Sequence, residues 1–113
     1  MQIIQGNTKR FKLTVYDLDG VAVDLSTAAI LIELWQKGAQ VASITKTEAS
    51  GDVDPGVDGV LTVYFSETDT ELALGEYVLE ARVTADLSGV TYRVSMLAQV
   101  TVDDAPTYNG LGQ

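Results

Sequence analysis

The chain has 113 residues, with neither cysteine nor histidine, and sixteen acidic residues against seven basic ones leave a net charge of −9. One domain of ordinary size is implied, able to bury roughly 65% of the surface it exposes when unfolded. Disulfides, thiolate chemistry and imidazole general bases or metal ligands are excluded outright.

The acidic balance repels phosphate backbones and anionic lipid, so nucleic acid and membrane surfaces are not expected partners. Only Lys9, Arg10 and Lys12 form a basic group. No apolar run approaches the ~20 residues of a spanning helix. The opening MQIIQGNTKR lacks the charged leader and long apolar stretch of a signal peptide. A protein kept in the cytoplasm, or in something assembled there, is the expectation.

In chain order, the first strand is expected at Gln2 to Gln5, ended by Gly6-Asn7. A second follows from Lys9 to Tyr16, with Phe11, Leu13 and Val15 on one face. Asp17-Leu18-Asp19-Gly20 has the composition of a hairpin turn, and Val21 to Leu25 reads as a brief return. Ala28 to Gln36 is apolar on both faces, as befits a central strand or one whose outer face meets a partner; a short helix is the competing reading. Its β-branched residues and Gly38 favour strand. Gln40 to Thr47 makes a weaker partner strand, and Glu48 to Gly59, dense in Gly, Asp and Pro, reads as loop.

Val60 to Phe65 alternates again, with Leu61, Val63 and Phe65 inward. Ser66 and Asp69 are spaced as a capping box, which predicts one short helical turn near residues 67–73, stopped by Gly75. The clearest periodicity comes next. Tyr77, Leu79, Ala81 and Val83 alternate with Val78, Glu80, Arg82 and Thr84, and after Asp86-Leu87-Ser88-Gly89 the run Val90 to Val102 alternates in the same way. Two long antiparallel strands are predicted, with Leu97 the one apolar residue on an otherwise polar face. Leu72-x-x-Gly75-x-Tyr77 has the spacing of a tyrosine corner. Together these features predict an all-β, immunoglobulin-like antiparallel β-sandwich over residues 1–102. Residues 103–113 form an expected flexible C-terminal arm.

Chemistry is thinly represented. Asp52, Asp54 and Asp58 in DVDPGVDG could offer oxygens to Ca²⁺, but the EF-hand spacing is not met and turn formation explains the same residues. Asp17, Asp19 and Asp24 are accounted for by the hairpin. No pair of carboxylates is placed for glycoside hydrolysis, so no enzyme, catalytic residue or cofactor is expected. Trp35, Tyr64, Tyr92 and Tyr108 are the aromatics available for a sugar or protein platform. The residues expected at a protein interface are Leu31, Trp35 and Leu97, apolar on outward faces, with Tyr108 and Leu111 in the arm.

The stretches Gly6 to Ser26 (GNTKRFKLTVYDLDGVAVDLS) and Val57 to Thr84 (VDGVLTVYFSETDTELALGEYVLEARVT) resemble tailed-phage structural proteins. The likeness lies in a Gly-Asn-Thr start, an acidic-Gly turn, a Val-Asp-Leu-Ser return, a Ser-x-x-Asp-Thr turn and a Gly-x-Tyr-led strand. It covers residues 3 to 102 and is similar to the immunoglobulin-like domain at the N-terminus of phage baseplate upper proteins. The resemblance implies a non-enzymatic virion protein, made in the host cytoplasm, that docks on other virion proteins and assembles as a homo-oligomer. Because the sequence ends just beyond the domain, a tail, baseplate or connector accessory is expected in place of a fibre-bearing protein. A capsid decoration protein, and a carbohydrate-binding or adhesin-type module, are the competing readings.

Overall fold

The computed structural model describes residues 1–87 and 90–104. Among them are eight strands: β1 (Gln2–Ile4), β2 (Lys9–Thr14), β3 (Ala29–Gln36), β4 (Ile44–Thr47), β5 (Val53–Pro55), β6 (Val60–Phe65), β7 (Gly75–Leu87) and β8 (Val90–Asp103). They form a five-stranded sheet in the order β1-β8-β7-β3-β4 and a three-stranded sheet in the order β2-β6-β5. The all-β expectation holds. The sheets are not wholly antiparallel, because β1 runs parallel to β8, Gln2 opposite Thr101 and Ile4 opposite Asp103.

The alternation read from the sequence decides which face is buried. Ile30, Ile32 and Leu34 of β3, Tyr77, Leu79, Ala81 and Val83 of β7, and Leu61, Val63 and Phe65 of β6 are all buried in one core. Phe11 meets Phe65 edge-on at 5.4 Å between ring centres, the arrangement aromatic quadrupoles favour. Val23 and Leu25 are equally buried although their segment forms no strand. That return meets the chain beyond β2 through an isolated bridge, Tyr16 to Ala22, and then crosses to the other edge, where the Leu25 N–H donates to the Gly56 carbonyl at 3.1 Å.

The hairpin before it forms as expected: the Asp17 carboxylate accepts the N–H groups of Asp19 and Val21, each at 2.9 Å. Two expectations need correction. The segment read as loop contains a 3₁₀ turn, Glu48–Ser50, and then β5. Val53 is buried opposite Val63, so tertiary pairing overrides the local Gly and Asp content. The single helical turn expected near 67–73 forms but is shorter, closed by the Thr70 N–H donating to the Ser66 carbonyl at 3.1 Å. Its capping box forms, the Asp69 N–H donating to Ser66 Oγ at 3.1 Å and the Ser66 N–H to the Asp69 carboxylate at 2.8 Å. Yet it closes only a turn over Glu67–Thr70. Thr70 stops it. Its buried hydroxyl donates to the Asn7 carbonyl at 2.7 Å, and its own carbonyl accepts from the Gly6 N–H at 3.1 Å.

The tyrosine-corner spacing yields its bond. Tyr77 is buried and its hydroxyl donates to the Ala73 carbonyl at 2.7 Å. Ser88-Gly89 in the β7–β8 connection, and 105–113 of the expected arm, lie outside the described residues.

Candidate functional site

In β3, β7 and β8 the odd-numbered residues of β3 and β8 and the even-numbered residues of β7 share the face turned away from the core. Three rows cross it. Trp35, Val78 and Gln99 form one; Glu33, Glu80 and Leu97 the next; Leu31, Arg82 and Ser95 the third. Trp35 is therefore directly opposite Val78, and Val78 is the diagonal neighbour of Leu97, within reach of large side chains. Leu97 is 70% exposed, while Trp35 and Val78 are half-buried. The result is a continuous apolar stripe, Trp35–Val78–Leu97. Val78 is the apolar exception among Glu76, Glu80, Arg82 and Thr84 on the outward face of β7, and register places it between Trp35 and Leu97.

Leu31 is on the same face but apart from that stripe. Glu33 separates it from Trp35 along β3, and Glu80 and Arg82 lie beside it on β7. It lines a shallow hollow of about 320 Å³ with Thr47, Glu48, Arg82 and Thr84. The Glu48 carboxylate there accepts the Ile30 N–H at 2.9 Å. Arg82 donates to Glu80 at 2.9 Å, and its buried Nε has no hydrogen-bond partner. Tyr108 and Leu111, the other two expected interface residues, lie outside the described residues.

The three aspartates considered for Ca²⁺ diverge. Asp52 takes the Lys46 ammonium at 2.6 Å, Asp58 accepts the Val60 N–H at 3.1 Å, and Asp54 faces outward on β5. Among the described residues no group of three or more carboxylates converges as a cation would require.

Lys46 instead makes a strut between the sheets. It projects inward from edge strand β4 and also contacts Asp69 at 2.9 Å, in the turn that follows β6. Burial pulls the ammonium toward a lower pKa, but the hydrogen bonds and charges of Asp52 and Asp69 prevail and leave it raised. Burial likewise pushes the Asp69 carboxyl up, and the Lys46 hydrogen bond with the Ser66 donors brings it below its ordinary value. The strut was not legible in the sequence, since Lys46 and Asp69 are joined only by the packing of the two sheets.

The three-stranded sheet carries a second outward feature. Arg10 lies over the Tyr64 ring at 5.9 Å, a cation–π contact, and with Asp52, Asp54 and Thr62 lines an open depression of about 460 Å³. Tyr64 and Trp35 are thus on different sheets and do not make one aromatic row. No helix among the described residues is long and apolar enough to cross a membrane. No protein-family model matches the chain, and no curated protein does either.

Proposed function

We infer that the protein is a non-enzymatic structural component of a tailed-phage virion, built on an immunoglobulin-like β-sandwich and acting by docking on neighbouring subunits. The observation that carries the docking role is the Trp35–Val78–Leu97 stripe. Large apolar side chains on the solvent face of a sheet, rimmed here by Glu33, Glu80 and Arg82, are the composition of a protein contact.

The finer fold assignment has its own support. The packing of a five-stranded sheet and a three-stranded antiparallel sheet around one core supports the immunoglobulin-like reading, although β1 adds a parallel pairing to the larger sheet. The Tyr77–Ala73 bond at the start of β7 fits the tyrosine corner of that plan. The phage assignment rests on the motif resemblance. The Gly6-Asn7 start and the Asp69-Thr70 turn, two of the motifs that carry it, bond to each other through Thr70.

Density-gradient purification of particles from a culture producing the protein, followed by quantitative mass spectrometry, tests this. The protein is expected to band with virions in a fixed ratio to the major capsid protein. The substitutions Trp35→Ser and Leu97→Ser are expected to remove it from the band while leaving the isolated protein folded. Wild-type protein that never bands with particles would overturn the reading.

A further inference from the structure

The long strand β8 is only partly covered. One side pairs with β7 from Val90 to Val102, whereas β1 covers the other side only at Thr101–Asp103. The Met1 ammonium extends that cover to the Gln99 carbonyl, at 3.1 Å. Among the described residues no strand pairs with Arg93 to Ala98 on this side.

Which backbone groups face the open side follows from those same bonds. The Thr101 N–H donates to the Met1 carbonyl, the Gln99 carbonyl accepts from Met1, and the Asp103 carbonyl accepts from the Gln5 N–H. All three residues are odd-numbered. Backbone polar groups alternate sides along a strand, so the N–H and C=O of Leu97, Ser95 and Arg93 also turn away from β7, toward the open edge.

The other edges carry devices that discourage pairing. β2 displays Lys9, Arg10 and Lys12; β5 is three residues long and includes Pro55; β4 is four residues long with Lys46 turned inward. The open part of β8 is neither short nor interrupted by proline, and no charge on it points inward. Its single charge is Arg93, and Val94 and Met96 are half-buried at the rim of the core with Leu97 exposed.

We propose that this edge pairs, over Arg93 to Leu97, with the same edge of a second copy, antiparallel about a two-fold axis at Ser95, joining two five-stranded sheets; the pairing stops short of Gln99, whose carbonyl the Met1 ammonium already holds. Charge selects the occupant and the register. A chain of net charge −9 repels its copies at most surfaces, but Arg93 to Ala98 contains no carboxylate. Centring on Ser95 sets Arg93 of each copy opposite Leu97 of the other, and Val94 opposite Met96. No like charges face one another, and apolar residues meet on the core side. The incoming Arg93 also extends the row Leu97–Glu80–Glu33, where two carboxylates are cross-strand neighbours. It brings a positive charge to the edge of a carboxylate-bearing face on which Glu80 is already held by Arg82. All outward groups of Arg93, Ser95 and Leu97 are then satisfied by their symmetry mates.

The inference stands on the backbone of β8 and is independent of the virion reading. Sedimentation of the full chain over a concentration series is expected to show a monomer–dimer equilibrium. Leu97→Lys, which puts a charge on the edge, and Ser95→Pro, which deletes an outward N–H, are each expected to raise its dissociation constant about tenfold or more. Neither touches the ladder with β7, so circular dichroism and the melting temperature should report an intact fold. Trp35→Ser should leave the dimer unchanged. Amide exchange in the wild-type chain should slow at residues 93, 95 and 97 as concentration rises. A strict monomer, or a dimer indifferent to both edge substitutions, would overturn the proposal without touching particle binding. A dimer that never associates with particles would count against the virion reading alone.

Discussion

The Tyr77 hydroxyl reaches back four residues to the Ala73 carbonyl at 2.7 Å, so a buried phenol secures the segment that leads into β7. β7 is the strand on which the five-stranded sheet depends, paired with β3 on one side and β8 on the other. Tyr77→Phe keeps the ring and its packing but strands the carbonyl. The expected cost is about 1–1.5 kcal/mol, read as a fall of about 4 °C in melting temperature.

The Lys46 strut predicts the acid limb of stability. Asp69 is held below its ordinary value of 3.8, so the unfolded chain binds that proton more tightly than the folded one. Its contribution is complete above 3.8 and is lost as the pH falls through the lower folded value. Urea melts should show stability level near neutrality and declining below about pH 4. Lys46→Met should make that decline shallower, the Ser66 hydrogen bonds remaining, and lower stability at pH 7 by about 1–3 kcal/mol, because Asp52 and Asp69 lose their counter-charge.

An alkaline limb is expected from two groups. Lys46 is raised from 10.5 by its carboxylates against the opposing effect of burial, and Tyr77 is raised from 10.0 by burial. In both, the folded chain holds its proton more tightly than the unfolded one. Their contributions are full below the unfolded values and disappear as pH rises through the folded ones. Unfolding midpoints measured from pH 8 to 12 should fall beyond about pH 10. Tyr77→Phe should make that fall shallower.

Gly59 and Gly20 separate two kinds of glycine requirement. Both have positive φ, +80° and +79°. A Cβ on Gly20 would meet nothing, whereas one on Gly59 would come within 2.9 Å of the Val15 carbonyl and of the Ala22 methyl. Gly20→Ala should therefore cost only the left-handed backbone penalty, about 1–2 kcal/mol. Gly59→Ala should cost more, about 3 kcal/mol or above, since the β2 end must also move. Chemical denaturation of the two variants side by side checks the difference.

Ser66→Ala removes the side-chain acceptor for the Asp69 N–H in a turn that also carries the Lys46 contact. A loss of about 1 kcal/mol is expected. Thr70→Val should cost more than that, because its hydroxyl is fully buried and the Asn7 carbonyl would be left without a donor.

Periodicity in the chain determined β2, β6, β7 and β8 and their buried faces, because alternation is a local property that burial on one side imposes residue by residue; β3, apolar on both faces, was read as strand from its β-branched residues. Turn chemistry and caps were equally legible: Asp17 in its hairpin, Ser66 with Asp69, Tyr77 with Ala73. The missing pieces all depend on partners distant in the chain. β5 is a strand only because β6 offers it a ladder, and the capping box makes a bare turn because Thr70 is held by Asn7. Val23 and Leu25 are core without being strand, since a buried position needs only surrounding side chains. The site divides in the same way. Leu97 stood out as an apolar residue on a polar face, but its union with Trp35 through Val78, its separation from Leu31 by Glu33, and the open edge from Arg93 to Ala98 are consequences of register. Register joins residues tens of positions apart through backbone hydrogen bonds that no side-chain pattern spells out, and so only the tertiary structure could decide it.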